Sequence, residues 1–317
     1  IVVCKRAYET DPGSFWAGFY SPAIGVGYIF IANLIASAFK LLLMSPQLKG
    51  VFGGVDKVLL KKMLAYSLPM VIIGFAGIIN EMLDRVILKF LLPYDDVTNT
   101  EMLGVYGACY KLSILMTLFI QAFRYAAEPF FFARAKEKNS TRVYADVMKY
   151  FVIVCVAIFL LVTLYIDVFK YFIGPKFRVG LPVVPVLLLA NLFLGVYVNL
   201  SIWYKLTDRT LWGSYVSIGG AVVTVLINLL FVPAYGYMAS AWATLICYAG
   251  MATVSYLLGQ KYYPVEYSVS SFVKYLGLAL LLYVGFTYAQ PLVALPAFVL
   301  STVFMLVFVA FVWLQDG

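Results

Sequence analysis

The chain has 317 residues, of which 64% are hydrophobic and 12% charged, whereas an ordinary soluble domain is about 25% charged. It contains no histidine, which excludes Ser-His-Asp and Cys-His nucleophile chemistry and every His-bearing zinc motif. Its formal net charge of +8 sits in loops between apolar runs, where anionic lipid headgroups account for it and nucleic acid does not.

An apolar run of about 20 residues crosses roughly 30 Å of hydrocarbon as a helix. Nine such runs lie near 23–44, 64–92, 103–129, 147–167, 181–204, 211–233, 236–259, 271–289 and 293–314. They predict an all-α polytopic membrane protein. Stretches such as VLLLANLFLGVYV (186–198) lack the alternation that a membrane β-barrel strand requires.

In chain order, residues 1–22 open in IVVCKRAYET, the end of an apolar stretch followed by a polar loop. The first residue is Ile1 rather than Met, so the natural beginning is expected to lie upstream, and no signal peptide is read from it. The span at 23–44 ends near Lys40, expected to reach toward the interface. Residues 45–63 form a linker loosened by Gly50, Gly53 and Gly54 before a short amphipathic piece. The spans of 64–259 follow, with residues 130–146 expected to continue the third span as a charged helix. Residues 260–317 hold the last two spans. The segments GVGYIFIANLIASAF (25–39) and AYGYMASAWATLICY (234–248) resemble each other, suggesting a repeat of six spans of the kind found in transporters.

Orientation follows from the basic residues. Alternate loops collect Lys49, Lys57, Lys61, Lys62, Arg134, Lys136, Lys138, Arg142, Lys149, Lys205, Arg209, Lys261 and Lys274 on one side. The other side has Lys5, Arg6, Lys170, Lys176 and Arg178, together with the acidic loop PYDDVTNTE (93–101). The positive-inside rule makes the first side cytoplasmic. Residue 1 is then outside and Gly317 inside. The sequon Asn139-Ser140-Thr141 falls on the cytoplasmic side and is discounted.

Charges inside the spans carry the functional signal, because an ionised group at mid-membrane costs about 2.5–3.5 kcal/mol on insertion scales and needs a cavity or a partner. On the second span Glu81 and Asp84 share a face, and Arg85 is placed to close an ion pair with Glu81. Lys111 on the third span has a depth that suits pairing with Glu81 or Asp84. Gln121, Arg124 and Glu128 follow as one polar stripe. Arg85, Lys111, Gln121 and Arg124 are the candidates for substrate binding in a hydrated cleft. Glu81, Asp84 and Glu128 are candidates for ion coupling or ion pairing, while Lys89 lies near enough to the surface to snorkel. Asn191, Asn199 and Asn228 are expected to hydrogen-bond between helices, and Pro69, Pro182 and Pro185 to occupy early helical turns. Cys4, Cys109, Cys155 and Cys247 form no disulfide framework, and no nucleotide-binding loop, metal motif or cofactor signature is present.

The order LLKKMLAYSLPMVIIGFAGIINEMLDRVILKFLLP, then GVYGACYKLSILMTLFIQAFRYAAEPFFFARA, with SLPM at 67–70, LDR at 83–85 and QAFRYAAEPFFF at 121–132, resembles Wzx-type polysaccharide or O-antigen flippases. These belong to the multidrug/oligosaccharidyl-lipid/polysaccharide exporter superfamily. The resemblance implies a fourteen-helix fold of two six-helix lobes and a terminal pair. Residues 23–44 would then match helix six, 64–259 the second lobe and 260–317 helices thirteen and fourteen, with the first five helices absent.

The implied function is turning an undecaprenyl-diphosphate-linked oligosaccharide from the inner to the outer leaflet of the bacterial inner membrane during polysaccharide or lipopolysaccharide synthesis. The implied partners are that lipid-linked oligosaccharide, membrane lipids, a polysaccharide polymerase and glycosyltransferases. The alternatives are an ion-coupled drug/cation antiporter of the same superfamily and a membrane polymerase or ligase. The last is disfavoured because such enzymes carry large outer loops, so the expectation is a transporter rather than an enzyme.

Overall fold

The computed structural model describes residues 6, 8–11, 13–15, 18, 20–25, 27–48, 56–137, 139–292 and 296–316. Cys4, Lys5, Lys49, Lys138, Gly50, Gly53 and Gly54, all used above, lie outside the described residues. Among the described residues, nine helices are long and apolar enough to cross a membrane. They are α1 (Gly27–Met44), α2 (Lys57–Leu91), α3 (Asp96–Arg134), α4 (Ser140–Leu164), α5 (Val183–Leu200), α6 (Thr210–Tyr235), α7 (Tyr237–Tyr262), α8 (Val269–Ala289) and α9 (Ala297–Asp316). Large apolar side chains such as Phe75, Leu230, Leu281 and Trp313 are exposed along them. That surface suits hydrocarbon and not water, and the chain is an all-α polytopic membrane protein.

Two compact units divide the chain, residues 1–61 and 62–317. In the first, α1 has no buried residue. The Ser21 N–H donates to the Tyr28 hydroxyl at 2.7 Å, and the Tyr20 and Tyr28 rings stack with centroids 5.8 Å apart. The second unit is a helical bundle.

Two helices run beyond the apolar runs that announce them, and both starts have a local cause. Asp56 Oδ1 accepts from the N–H groups of Val58 and Leu59 at 2.8 and 3.2 Å, satisfying amides that the helix itself leaves open. Residues 57–63 are therefore the first turns of α2 and not a separate amphipathic piece. Asp95 caps α3 by accepting from the Thr98 hydroxyl at 2.6 Å and its N–H at 3.3 Å. Those hydrogen bonds hold the Asp95 carboxyl below the usual carboxylate range. With 39 residues, α3 is about 58 Å long at 1.5 Å per residue, far more than the bilayer core.

Three sequence expectations are corrected here. Residues 130–146 do not continue as one charged helix: α3 ends at Arg134, and α4 starts at Ser140 after a turn. Pro69 lies well inside α2 rather than in its early turns, because the helix starts at Lys57. Its carbonyl accepts from the Ser214 hydroxyl of α6 at 2.9 Å, a bond that ties α2 to α6 at this point, while the carbonyl freed by the missing proline N–H is that of Ala65, one turn earlier. Asn191 and Asn199 do not bond between helices, because Asn191 Nδ2 and both side-chain polar atoms of Asn199 are buried without a partner. Pro182 and Pro185 do sit at the start of α5, where the missing N–H costs nothing.

The core is built around α4 and α5. Phe151, Phe159 and Leu160 of α4 pack with Leu188 and Leu192 of α5, and Tyr275, Ala279 and Phe286 of α8 and Leu300 and Phe308 of α9 join the same cluster. On the other side of α5, Ala190 and Tyr197 meet Val216 of α6 and Cys247, Tyr248 and Met251 of α7. Glycine permits one close approach and one tight turn. A Cβ at Gly195 would fall 2.6 Å from the Phe151 ring, and Gly236, the sole residue between α6 and α7, has φ +62° and ψ −150°. That backbone region is almost exclusive to glycine. Gly195→Ala overpacks a closed core and Gly236→Ala strains the turn, so each is expected to destabilise the protein by about 1–3 kcal/mol. Thermal unfolding of the detergent-solubilised variants would measure the loss.

Candidate functional site

The buried face of α2 is a stripe of Ala76, Asn80, Asp84, Ile87 and Leu88, spaced by three and four residues as a helix requires. Two of these are polar, and each has found a partner on another helix. Asn80 Oδ1 accepts from the Thr224 hydroxyl of α6 at 3.1 Å. Nearby, Asn228 Nδ2 donates to the Thr224 carbonyl at 2.8 Å, and Asn228 Oδ1 accepts from the Ser240 hydroxyl of α7 at 2.7 Å. Of the three asparagines expected to join helices, Asn228 does so. This network ties α2, α6 and α7 where no water competes for the bonds.

Asp84 is 1% exposed. Its Oδ2 accepts from the Tyr106 hydroxyl of α3 at 2.7 Å, and its Oδ1 from the Arg85 N–H at 2.7 Å. Asp84 is therefore turned into the α2–α3 contact and does not line the cleft described next. Tyr106, itself fully buried, is a partner of Asp84 that the sequence reading missed. An aromatic residue within an apolar run gives no sign that its hydroxyl will meet a carboxylate on the preceding helix.

Beside that contact lies a cleft of about 610 Å³ lined by Glu81 and Arg85 of α2, by Gly104, Gly107, Ala108, Tyr110, Lys111, Ile114 and Thr117 of α3, and by Phe177. The expected ion pairs do not form: among the described residues, no ion pair joins Glu81 to Arg85 or Lys111 to Glu81 or Asp84. Arg85 instead sets its guanidinium 4.6 Å from the centroid of the Tyr110 ring, a cation–π contact that leaves its N–H donors available. Glu81 and Lys111 are exposed, and Arg85 is half-buried. The lining thus carries two cations and one carboxylate, and is net positive.

The other three candidates lie elsewhere. Glu128 forms an ion pair with Lys205, which follows α5, and with Arg124 and Asn199 they border a second pocket of only about 20 Å³. One water-sized guest fills such a space. Gln121 is exposed and is absent from that lining. The single cleft expected for all these residues is therefore two sites, because Asp84 turns toward Tyr106 and Glu128 is held by Lys205. Tyr106→Phe would leave a buried carboxylate oxygen without its donor, and is expected to cost about 1–3 kcal/mol. Asp84→Asn in the Tyr106→Phe background should recover part of that loss, as read from unfolding of the single and double variants.

No protein-family model matches this sequence, and no curated protein matches it. Among solved structures, the chain is similar to the outward-facing conformation of a multidrug resistance MATE family transporter of the MOP superfamily. The identity is 14% and the TM-score 0.49, over 72% of this chain and 53% of that one. The chain spans about half the length of that transporter, and a likeness of this degree decides nothing about activity.

Proposed function

We propose that the chain serves as a transporter that moves an anionic lipid-linked oligosaccharide across the bilayer, and that residues 62–317 carry one wall of its translocation cleft. The observation behind this reading is the net positive cleft of Arg85, Lys111 and Glu81 on two apolar helices. A diphosphate loses its hydration on entering hydrocarbon, a penalty of many kcal/mol for an isolated ion. Guanidinium and ammonium groups replace that water with charge-assisted hydrogen bonds. Here Arg85 is held by its ring contact with Tyr110 and not by a carboxylate, so binding an anion need not first break an ion pair.

The glycines at 104 and 107 give this reading a second physical support. They leave the α3 wall of the cleft without side chains at those positions, where a bulky, hydrated sugar needs room. The isoprenoid tail can stay in the bilayer while the headgroup moves along the polar wall, and rocking of two lobes would expose the cleft alternately to each side. In this scheme the substrate is an oligosaccharide on undecaprenyl diphosphate, moved toward the outer leaflet of a bacterial inner membrane for use by a polymerase. Residues 64–259 act as the second lobe, and 260–317 as a terminal pair.

An ion-coupled drug/cation antiporter is the second reading, and Glu81 on the same cleft favours it. The two readings part on charge. In the full-length protein, Arg85→Ala with Lys111→Ala is expected to cut export of lipid-linked oligosaccharide at least about tenfold, by analogy with the worth of one charged hydrogen bond. The intermediate should accumulate on the inner leaflet, where leaflet-selective labelling can detect it. Unchanged export in the double variant, with cation efflux abolished by Glu81→Gln, would instead establish the antiporter.

A further inference from the structure

The pocket of about 20 Å³ beside the Glu128–Lys205 ion pair is built differently from the cleft. Asn199 lines it and is 3% exposed, yet neither its Nδ2 nor its Oδ1 meets a partner among the described residues. A buried amide left bare is costly, so this spot wants a donor and an acceptor at once. The helix is also interrupted here. Ser201 separates α5 from the short helix Ile202–Leu206, and its hydroxyl donates back to the Val198 carbonyl at 2.6 Å. Back-bonding of that kind bends a helix, and such bends are places where water enters the backbone hydrogen-bond ladder.

We propose that this pocket holds one ordered water that joins Asn199 to the Glu128–Lys205 pair and so fastens α3 to the break at the end of α5. The water would donate one hydrogen to Asn199 Oδ1 and the other to the Glu128 carboxylate. It would accept from Asn199 Nδ2 and from the Arg124 guanidinium, which lines the same space. Size and chemistry together select this occupant. A space of this volume admits one water-sized guest and excludes phosphate, sugar and drug-sized molecules. Chloride accepts from Nδ2 but has no hydrogen for Oδ1, and it would face the Glu128 carboxylate. Sodium meets the oxygens but has nothing for Nδ2, and it stands against two cations, Arg124 and Lys205. Water both donates and accepts, and so answers both ends of the amide. It belongs to the packing of α3 on α5 and would be present whatever the cleft transports.

X-ray radiolysis of the purified full chain, read by mass spectrometry, tests the site. Hydroxyl radicals formed from a bound water oxidise the side chains beside it even where bulk water does not reach. Phe131 lines the pocket and is 2% exposed, whereas Phe159 is fully buried in the apolar cluster of α4 and α5. Oxidation is expected at Phe131 and not at Phe159, with the exposed Phe132 as the common reference. It is expected to be lost at Phe131 in Asn199→Leu, which keeps a side chain of similar size without either polar atom. Phe131 as unreactive as Phe159 would mean a pocket that is dry or filled by an ion, and would overturn the proposal. Oxidation of Phe131 that persists in a folded Asn199→Leu variant would overturn the part given to Asn199. Should that variant fail to fold, the contrast between Phe131 and Phe159 in the unaltered protein still decides whether the water is there.

Discussion

Hydrocarbon offers no hydrogen bonds, and the placement of polar groups in this molecule follows from that single constraint. A buried donor or acceptor is answered by another part of the chain, borders a space that water can enter, or, as at Asn191, stays unpaired at a cost in stability. Asp84 shows the first solution. Its carboxylate is shut away from the cleft, answered by Tyr106 from the next helix and by its own backbone neighbour. Arg85, one residue further on, shows the second, because the rotation of 100° per residue carries it out of the contact and onto the cleft wall.

The same constraint separates structural polarity from functional polarity. Thr224, Asn228, Ser240 and Asn80 satisfy one another across three helices, and nothing in that network is left to bind a substrate. Glu128 and Lys205 neutralise each other. Among the described residues, Arg85 and Lys111 have no carboxylate so close, which leaves their charge facing the cleft. Counting charges along the helices would weight all of these residues equally, whereas their partners sort them into paired and unpaired groups.

Much of the fold was legible in the sequence because twenty apolar residues in a row admit few interpretations. All nine spans lie where the runs lie. The ends of α2 and α3 were less legible, although Asp56 and Asp95 are ordinary capping residues whose meaning is local. They were obscured by an apolar pattern that starts later than the helix does. The candidate site was legible as a set of residues but not as a set of contacts. Glu81, Arg85 and Lys111 do share one cleft, yet the partners of Asp84 and Glu128 come from Tyr106 and Lys205. The second partner lies 77 residues away, a distance that no helical spacing reports. Asn199 was the converse case: its type suggested a bond between helices, while packing left its amide without one.

The single-glycine joint at Gly236 bears on biogenesis. With no loop between them, α6 and α7 present the insertion machinery with a helical hairpin whose tip is one residue long. The Ser240 hydroxyl on the second arm answers the Asn228 side-chain oxygen on the first, so the polar group carried into hydrocarbon by one arm is satisfied only when its sister arm is beside it.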